Sequence, residues 1–148
     1  MTDDMSITKA VNYAAQAHLG QVDKRGRPYI VHCLEVGALF FKYSTNLIVL
    51  AIIHDTAEDN PEFTIERATQ EFGVEIGEAL NAITRREGEQ YFDYIRRCNT
   101  NPLAREVKLV DLTMNIRTCP DESLKERYVK ALGILHELGG NDWTTESK

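Results

Sequence analysis

The chain is short of the features that mark secreted, membrane-spanning and nucleic-acid-binding proteins. Its three cysteines, Cys33, Cys98 and Cys119, are odd in number and form no CxxC pair. That argues against a disulfide framework and suits free thiols in a reducing cytoplasm. No apolar run approaches the roughly 20 residues of a bilayer-crossing helix. The start, MTDDMSITKA, is acidic and lacks the apolar core of a secretion signal. Positive charge is scarce as well, with a net charge of -6. A general nucleic-acid binder carries the opposite sign or a clear basic stripe. Here the basic residues form only short clusters: Lys24-Arg25 with Arg27, Arg85-Arg86 and Arg96-Arg97. Clusters of that size fit a small anionic ligand better than a duplex. Period-two alternation, internal repeats and low-complexity segments are also missing, which leaves no basis for a sheet or a solenoid.

What remains is a globular composition, 43% hydrophobic and 27% charged, in a chain of 148 residues, enough for one core. Apolar spacing predicts helices over 6–19, 29–43, 46–59, 64–72, 74–84, 89–98, 101–117 and 122–138. Gly20, Gly73 and Gly139-Gly140 act as stops, Thr64 as a cap, and Pro102 as an early helical residue. The expectation is an all-α bundle of about eight helices spanning 1–139. A flexible tail, 140–148, would follow, with Trp143 as a packing residue or an oligomer contact.

The most informative stretch is Asn46 to Pro61, NLIVLAIIHDTAEDNP. Seven apolar residues, Leu47 to Ile53, run straight into His54-Asp55, and Glu58-Asp59 follow. Read as one buried helix ended by Pro61, the segment puts Asp55, Glu58 and Asp59 at i, i+3 and i+4 on one face. Carboxylates at a helix C-terminus meet the negative end of its dipole. Solvent, or a positive charge among them, must relieve that repulsion. A divalent cation is the economical choice, with His54, a metal-ligand type, beside them. Two further ligand types lie in apolar surroundings, His32 in YIVHCLEV and Asp111 in VKLVDLTM. Each alone reads best as a hydrogen-bonded core residue. Together with the acidic cluster they read as a metal centre.

The ordered set H-L-G-Q-x-x-K-x-G-x-P-Y-I-V-H, A-I-I-H-D-T-A-E-D, F-G-x-E-I and V-K-x-x-D-x-x-x-N-x-R-T spans most of the chain. It resembles the HD-domain superfamily, and within it the hydrolase domain of the RelA/SpoT group and its small stand-alone relatives, including the metazoan SpoT homologue type. The resemblance implies an HD-domain helical bundle and a metal-dependent enzyme that removes pyrophosphate from the 3′ position of guanosine tetra- or pentaphosphate. It implies one divalent ion, usually manganese, on His32, His54, Asp55 and Asp111. Glu58 and Asp59 match the catalytic acidic pair. Asn115 and Lys24 match nucleotide contacts, and Tyr128 an aromatic of the nucleotide pocket. Arg25 and Arg85 are further candidates for neutralising phosphate charge. His18 and His136 have no counterpart ligand role. The expected partner is a phosphorylated purine nucleotide, not nucleic acid or membrane, with an oligomer left open.

Asp23 departs from the pattern, because a basic residue that packs on the guanine usually stands there. On this reading Asp23 repels phosphate and weakens base recognition, so Asp23→Arg is expected to improve binding. Arg25 replaces a small polar residue, and Cys33 stands where proline is usual. Two other functional classes remain open. One is an HD nucleotidase acting on a nucleoside monophosphate, and the other a non-catalytic module that binds a nucleotide. The second has no need of Glu58-Asp59.

Overall fold

The computed structural model describes residues 3–58 and 60–139, apart from the side chains of Asp3 and Asp4. Asp59 and the anticipated tail from Gly140 on, Trp143 included, lie outside the described residues. Eight helices follow one another: α1 Asp3–Ala17, α2 Ile30–Ala38, α3 Thr45–Ile53, α4 Ile65–Phe72, α5 Val74–Ile83, α6 Tyr91–Cys98, α7 Pro102–Thr118 and α8 Glu122–Leu138. Among the described residues the extended backbone amounts to one isolated bridge, Val22 with Pro28. No helix is long and apolar enough to cross a membrane.

The architecture is organised around α3. All seven residues from Leu47 to Ile53 are buried, so this helix has no solvent face and must be covered on every side. It packs against α1, α2, α5 and α7. Gly37 permits the approach of α2, because a Cβ there would come within 2.7 Å of Ile52 Cγ1. This contact sets α2, which carries His32, against the helix that leads to His54. On the far side α7 packs on α3 and α5 and is itself backed by α8.

The helix starts follow from short polar side chains that accept a free backbone N–H, a contact worth about 1 kcal/mol each. Ser44 caps α3, Thr64 α4, Gln90 α6, Asn101 α7 and Asp121 α8. Pro102 occupies the first turn of α7, where its missing N–H costs nothing.

One expected boundary is corrected. Helix α3 ends at Ile53, ahead of the carboxylates, and residues 54–58 form a run of turns. The cause is local competition for the carbonyls of the last turn. The His54 Nδ1–H donates to Ala51 O at 2.6 Å, and the Thr56 hydroxyl donates to Ile53 O at 2.8 Å. The chain thus avoids stacking Asp55 and Glu58 on the negative end of a helix. Those residues project from a turn rather than from a shared helical face. Helix α2 is also shorter than expected and ends at Ala38, leaving Phe41 and Tyr43 exposed.

Candidate metal centre and adjoining cavity

Three elements bring four side chains to one point. His32 comes from the first turn of α2, His54 and Asp55 from the end of α3 and the turn after it, and Asp111 from the middle of α7. One donor atom from each lies within 4.8 Å of the others. His32 Nε2 is 2.8 Å from Asp111 Oδ1, His54 Nε2 is 3.3 Å from the same oxygen, and His54 Nε2 is 3.1 Å from Asp55 Oδ2. Adjacent ligands that each sit about 2.1 Å from a divalent ion are about 3.0 Å apart in an octahedral shell. The observed spacings match such an edge as well as they match a hydrogen bond.

The electrostatics agree. The Ala51 carbonyl can only accept, so His54 carries a proton on Nδ1, and Nε2, which faces two carboxylates, can hold either a second proton or a cation. Burial disfavours a charged His54 ring. Asp55 and Asp111 outweigh it and pull the ring well above the ordinary histidine range. Burial likewise opposes an ionised Asp111, yet Lys108 and the two imidazoles hold it well below the usual carboxylate range. Asp55 behaves in the same way, with His54 outweighing burial. Lys108 and a protonated imidazole thus balance the two carboxylates, and a cation could take the place of the imidazole proton. Two imidazoles and two carboxylates are a donor set able to hold a divalent metal.

His54 and Asp111 are 1% and 3% exposed, whereas the Asp55 side chain is 22% exposed and opens the cluster towards solvent. A cavity on that side is lined by Asp55, Glu58, Gln21 and Asn60. Glu58, expected in the acidic pair, therefore stands beside the cluster and outside its four donors.

On the other side an open cavity of about 250 Å3 is lined by Lys24, Arg25, Tyr29, His32, Asn115 and Tyr128 among others. The sequence-predicted contacts Lys24, Arg25, Asn115 and Tyr128 thus meet in one place, next to a metal-ligand candidate. Lys24 Nζ reaches Tyr128 Oη at 3.3 Å and lies 5.5 Å from that ring's centre, tying the loop to α8. Asn115 Nδ2 donates to Asp111 Oδ1 at 3.3 Å. Arg85 does not join this group. It donates to Glu89 O from two nitrogens and borders a separate cavity with Glu58.

The reading of Asp23 is corrected. Its carboxylate lines the cavity, but Oδ1 accepts the backbone N–H of both Arg25 and Arg27, and Oδ2 accepts Arg27 Nε, each at 2.9 Å. Arg27 continues to Glu35 at 3.0 Å. Asp23 is the side-chain anchor of a tight loop, closed further by Asp23 N to Arg27 O at 2.8 Å and by Gly26 in a left-handed conformation. Its charge is spent on the loop rather than offered to a ligand. Lys24 and Arg25 have no carboxylate partner among the described residues.

Two residues near the cluster escaped the sequence reading. Lys108 is buried and donates to Asp111 Oδ2 at 3.0 Å. Burial opposes its charge, but Asp111 outweighs that and raises it well above the ordinary lysine range. Tyr29 donates its hydroxyl to Asp55 Oδ2. Both were visible as letters of the motif, and the i, i+3 spacing of Lys108 and Asp111 was the signal available. Nothing in the sequence told which way Tyr29 points.

The chain as a whole is similar to known proteins. The HD domain profile matches residues 10–132. The chain is 33% identical over 128 residues to the GTP pyrophosphokinase of Myxococcus xanthus, covering 76% of this chain and 17% of that one. It is 30% identical over 146 residues to the guanosine-3′,5′-bis(diphosphate) 3′-pyrophosphohydrolase of Haemophilus influenzae, covering 85% and 21%. The chain thus spans about a fifth of the length of such relatives. The fold matches the structure of a metazoan SpoT orthologue that hydrolyses ppGpp and plays a role in starvation responses, with a TM-score of 0.71 at 19% identity over 88% of this chain and 84% of that one. The His54-Asp55 dipeptide sits in the cluster with His32 and Asp111, and the profile covers the helices that hold all four, so the chain belongs to the HD-domain family.

Proposed function

We propose that the protein is a manganese-dependent phosphohydrolase that removes the 3′-diphosphate of guanosine tetra- or pentaphosphate. The observation that carries this reading is the adjacency of the four-donor cluster to a cavity holding Lys24, Arg25, Asn115 and Tyr128. His32 belongs to both. The activity named for the H. influenzae relative supports the choice of substrate.

His32, His54, Asp55 and Asp111 hold the divalent ion, which supplies Lewis acidity at the attacked phosphorus and lowers the pKa of water. Manganese suits a mixed imidazole and carboxylate set. Lys24 and Arg25 neutralise the diphosphate charge, and the Asp23 anchor keeps the loop that carries them in place. Asn115 donates to ribose or phosphate, and Tyr128 gives the sugar and base an aromatic wall. Glu58, beside Asp55 on the open side, takes the proton from the attacking water. Asp59, its neighbour in sequence, shares that role. Arg85 borders a separate cavity with Glu58 and has no part in holding the diphosphate on this reading. Residues 1–139 act as one catalytic domain in a cytoplasmic setting.

The test is a comparison of guanosine tetraphosphate, its adenosine counterpart and a nucleoside 5′-monophosphate at equal concentration with manganese. Pyrophosphate released from the first is the expected outcome. Inorganic phosphate released from the monophosphate alone would establish a nucleotidase and overturn the proposal.

A further inference from the structure

The four donors of the cluster are not equally well held. His54 is fixed through Nδ1 by the Ala51 carbonyl. Asp111 sits within a regular helix and is gripped from two sides, by Lys108 on Oδ2 and Asn115 on Oδ1. Asp55 has neither advantage. It stands on a turn, its side chain is 22% exposed, and it borders an open cavity. Without a further contact, a carboxylate so placed would keep several rotamers, which a cation that binds it would have to freeze.

We propose that Tyr29 is the positioning residue for Asp55, holding its carboxylate in the orientation that a divalent cation requires. This rests on reading the four residues as a metal centre and is independent of the substrate. Tyr29 reaches Asp55 from 26 residues away in sequence. Its hydroxyl donates to Oδ2, the same oxygen that lies 3.1 Å from His54 Nε2 and so faces the cluster. One lone pair of that oxygen is thereby taken and the other is left for the cation, which favours one-point binding by Asp55.

The Tyr29 ring is itself immobilised. Tyr29 N donates to Gln21 O at 2.9 Å, closing the base of the basic loop. One neighbour of the ring is His18, at 4.8 Å between centres, and another is His32, at 5.5 Å. His18 is 5% exposed and tied through Nδ1 to Gln21 Oε1 at 2.8 Å. It is outside the four-donor group, and its place in the motif is explained as support for Tyr29. The phenol is thus a rigid donor on one ligand whose ring packs on another. A hydrogen-bonded partner of a metal ligand typically governs affinity by ten- to a hundredfold.

The experiment is a titration of the full chain with manganese alone, against a competing chelator, for the wild type and for Tyr29→Phe. Phenylalanine keeps the ring contacts with His18 and His32 and removes only the donor. Affinity is expected to fall about tenfold or more, with the melting temperature of the chelator-treated protein unchanged. In an Asp55→Asn background the same substitution should have little further effect, because the two act as one unit. Affinity within twofold of wild type would overturn the role of Tyr29 while leaving the metal centre standing. So would an equal loss in both backgrounds, which would mean that Tyr29 does not act through Asp55. A wild-type chain that binds no manganese would remove the metal centre and this proposal together.

Discussion

The metal cluster and the basic loop share Tyr29 and His32 as a common wall, yet they are built in different ways. The cluster is assembled from three helices or their ends, and its histidines and Asp111 are buried. His54, Asp111 and Asp55 each make a hydrogen bond outside the four, and α2 and α7 pack on α3. The loop is a surface feature whose shape depends on one carboxylate, Asp23, and a few backbone contacts. The four candidate donors are thus held by the core, where misplacement is expensive. Lys24 and Arg25 are carried by a locally folded segment that can vary without disturbing the core.

The comparison breaks first at the cluster. Asp111→Ala should abolish manganese binding and turnover together, and the rise in melting temperature that metal gives the wild type should vanish. A buried Lys108 left without its partner is itself costly, on the order of 3–5 kcal/mol. Asp111→Asn, which can still accept from Lys108, is therefore the companion variant. Retention of wild-type metal content in both would remove Asp111 from the ligand set. Next in size is Glu58→Gln, which stands outside the four donors. It should keep the metal and lose turnover by about a hundredfold. Near-normal turnover would favour a binding module over an enzyme.

The loop sharpens the contrast from its own side. Asp23→Arg removes the acceptor of three hydrogen bonds, so it should loosen the segment that presents Lys24 and Arg25. The expected result is a KM raised roughly tenfold with kcat and metal affinity little changed, since binding geometry alone is lost. A lower KM would restore the expectation drawn from the sequence, in which arginine at 23 improves binding.

The smallest effect lies away from both regions. Glu89 pairs with Arg97 at 2.8 Å, and the Arg97 guanidinium takes it from the ordinary 4.5 to about 2. A depressed carboxylate stabilises the fold above its unfolded pKa and loses that contribution as pH falls. Glu89→Gln should therefore cost roughly 1 kcal/mol at neutral pH. The gap between variant and wild type should close as pH is lowered from 4.5 to about 2 in denaturation curves. A gap independent of pH would mean that the pair contributes through shape rather than charge.

Much of this molecule is written locally. Helices α4 to α8 lie within a few residues of where apolar spacing, Thr64, Asn101-Pro102 and the glycines put them, because caps and stops act over one turn. The four donor candidates were legible because a histidine or an aspartate in an otherwise apolar stretch has few alternatives to a partner. The end of α3 was not legible. The apolar run carries no stop signal, and the helix is closed by His54 and Thr56 turning back on its last carbonyls. The same holds for Asp23. Its charge could be read from the sequence, but not the fact that Arg27 and two backbone N–H groups already occupy it.

The sequence by itself determined an all-α chain and which side chains could hold a cation, since both depend on residue type and short-range spacing. Only the tertiary structure decided which of them meet. His32 and His54, 79 and 57 residues from Asp111, converge on it because α2 and α7 both close on a helix buried from Leu47 to Ile53. That geometry belongs to packing and is carried by no single segment. It is also what turned Tyr29 and Lys108 from letters in a motif into the side chains that hold Asp55 and Asp111.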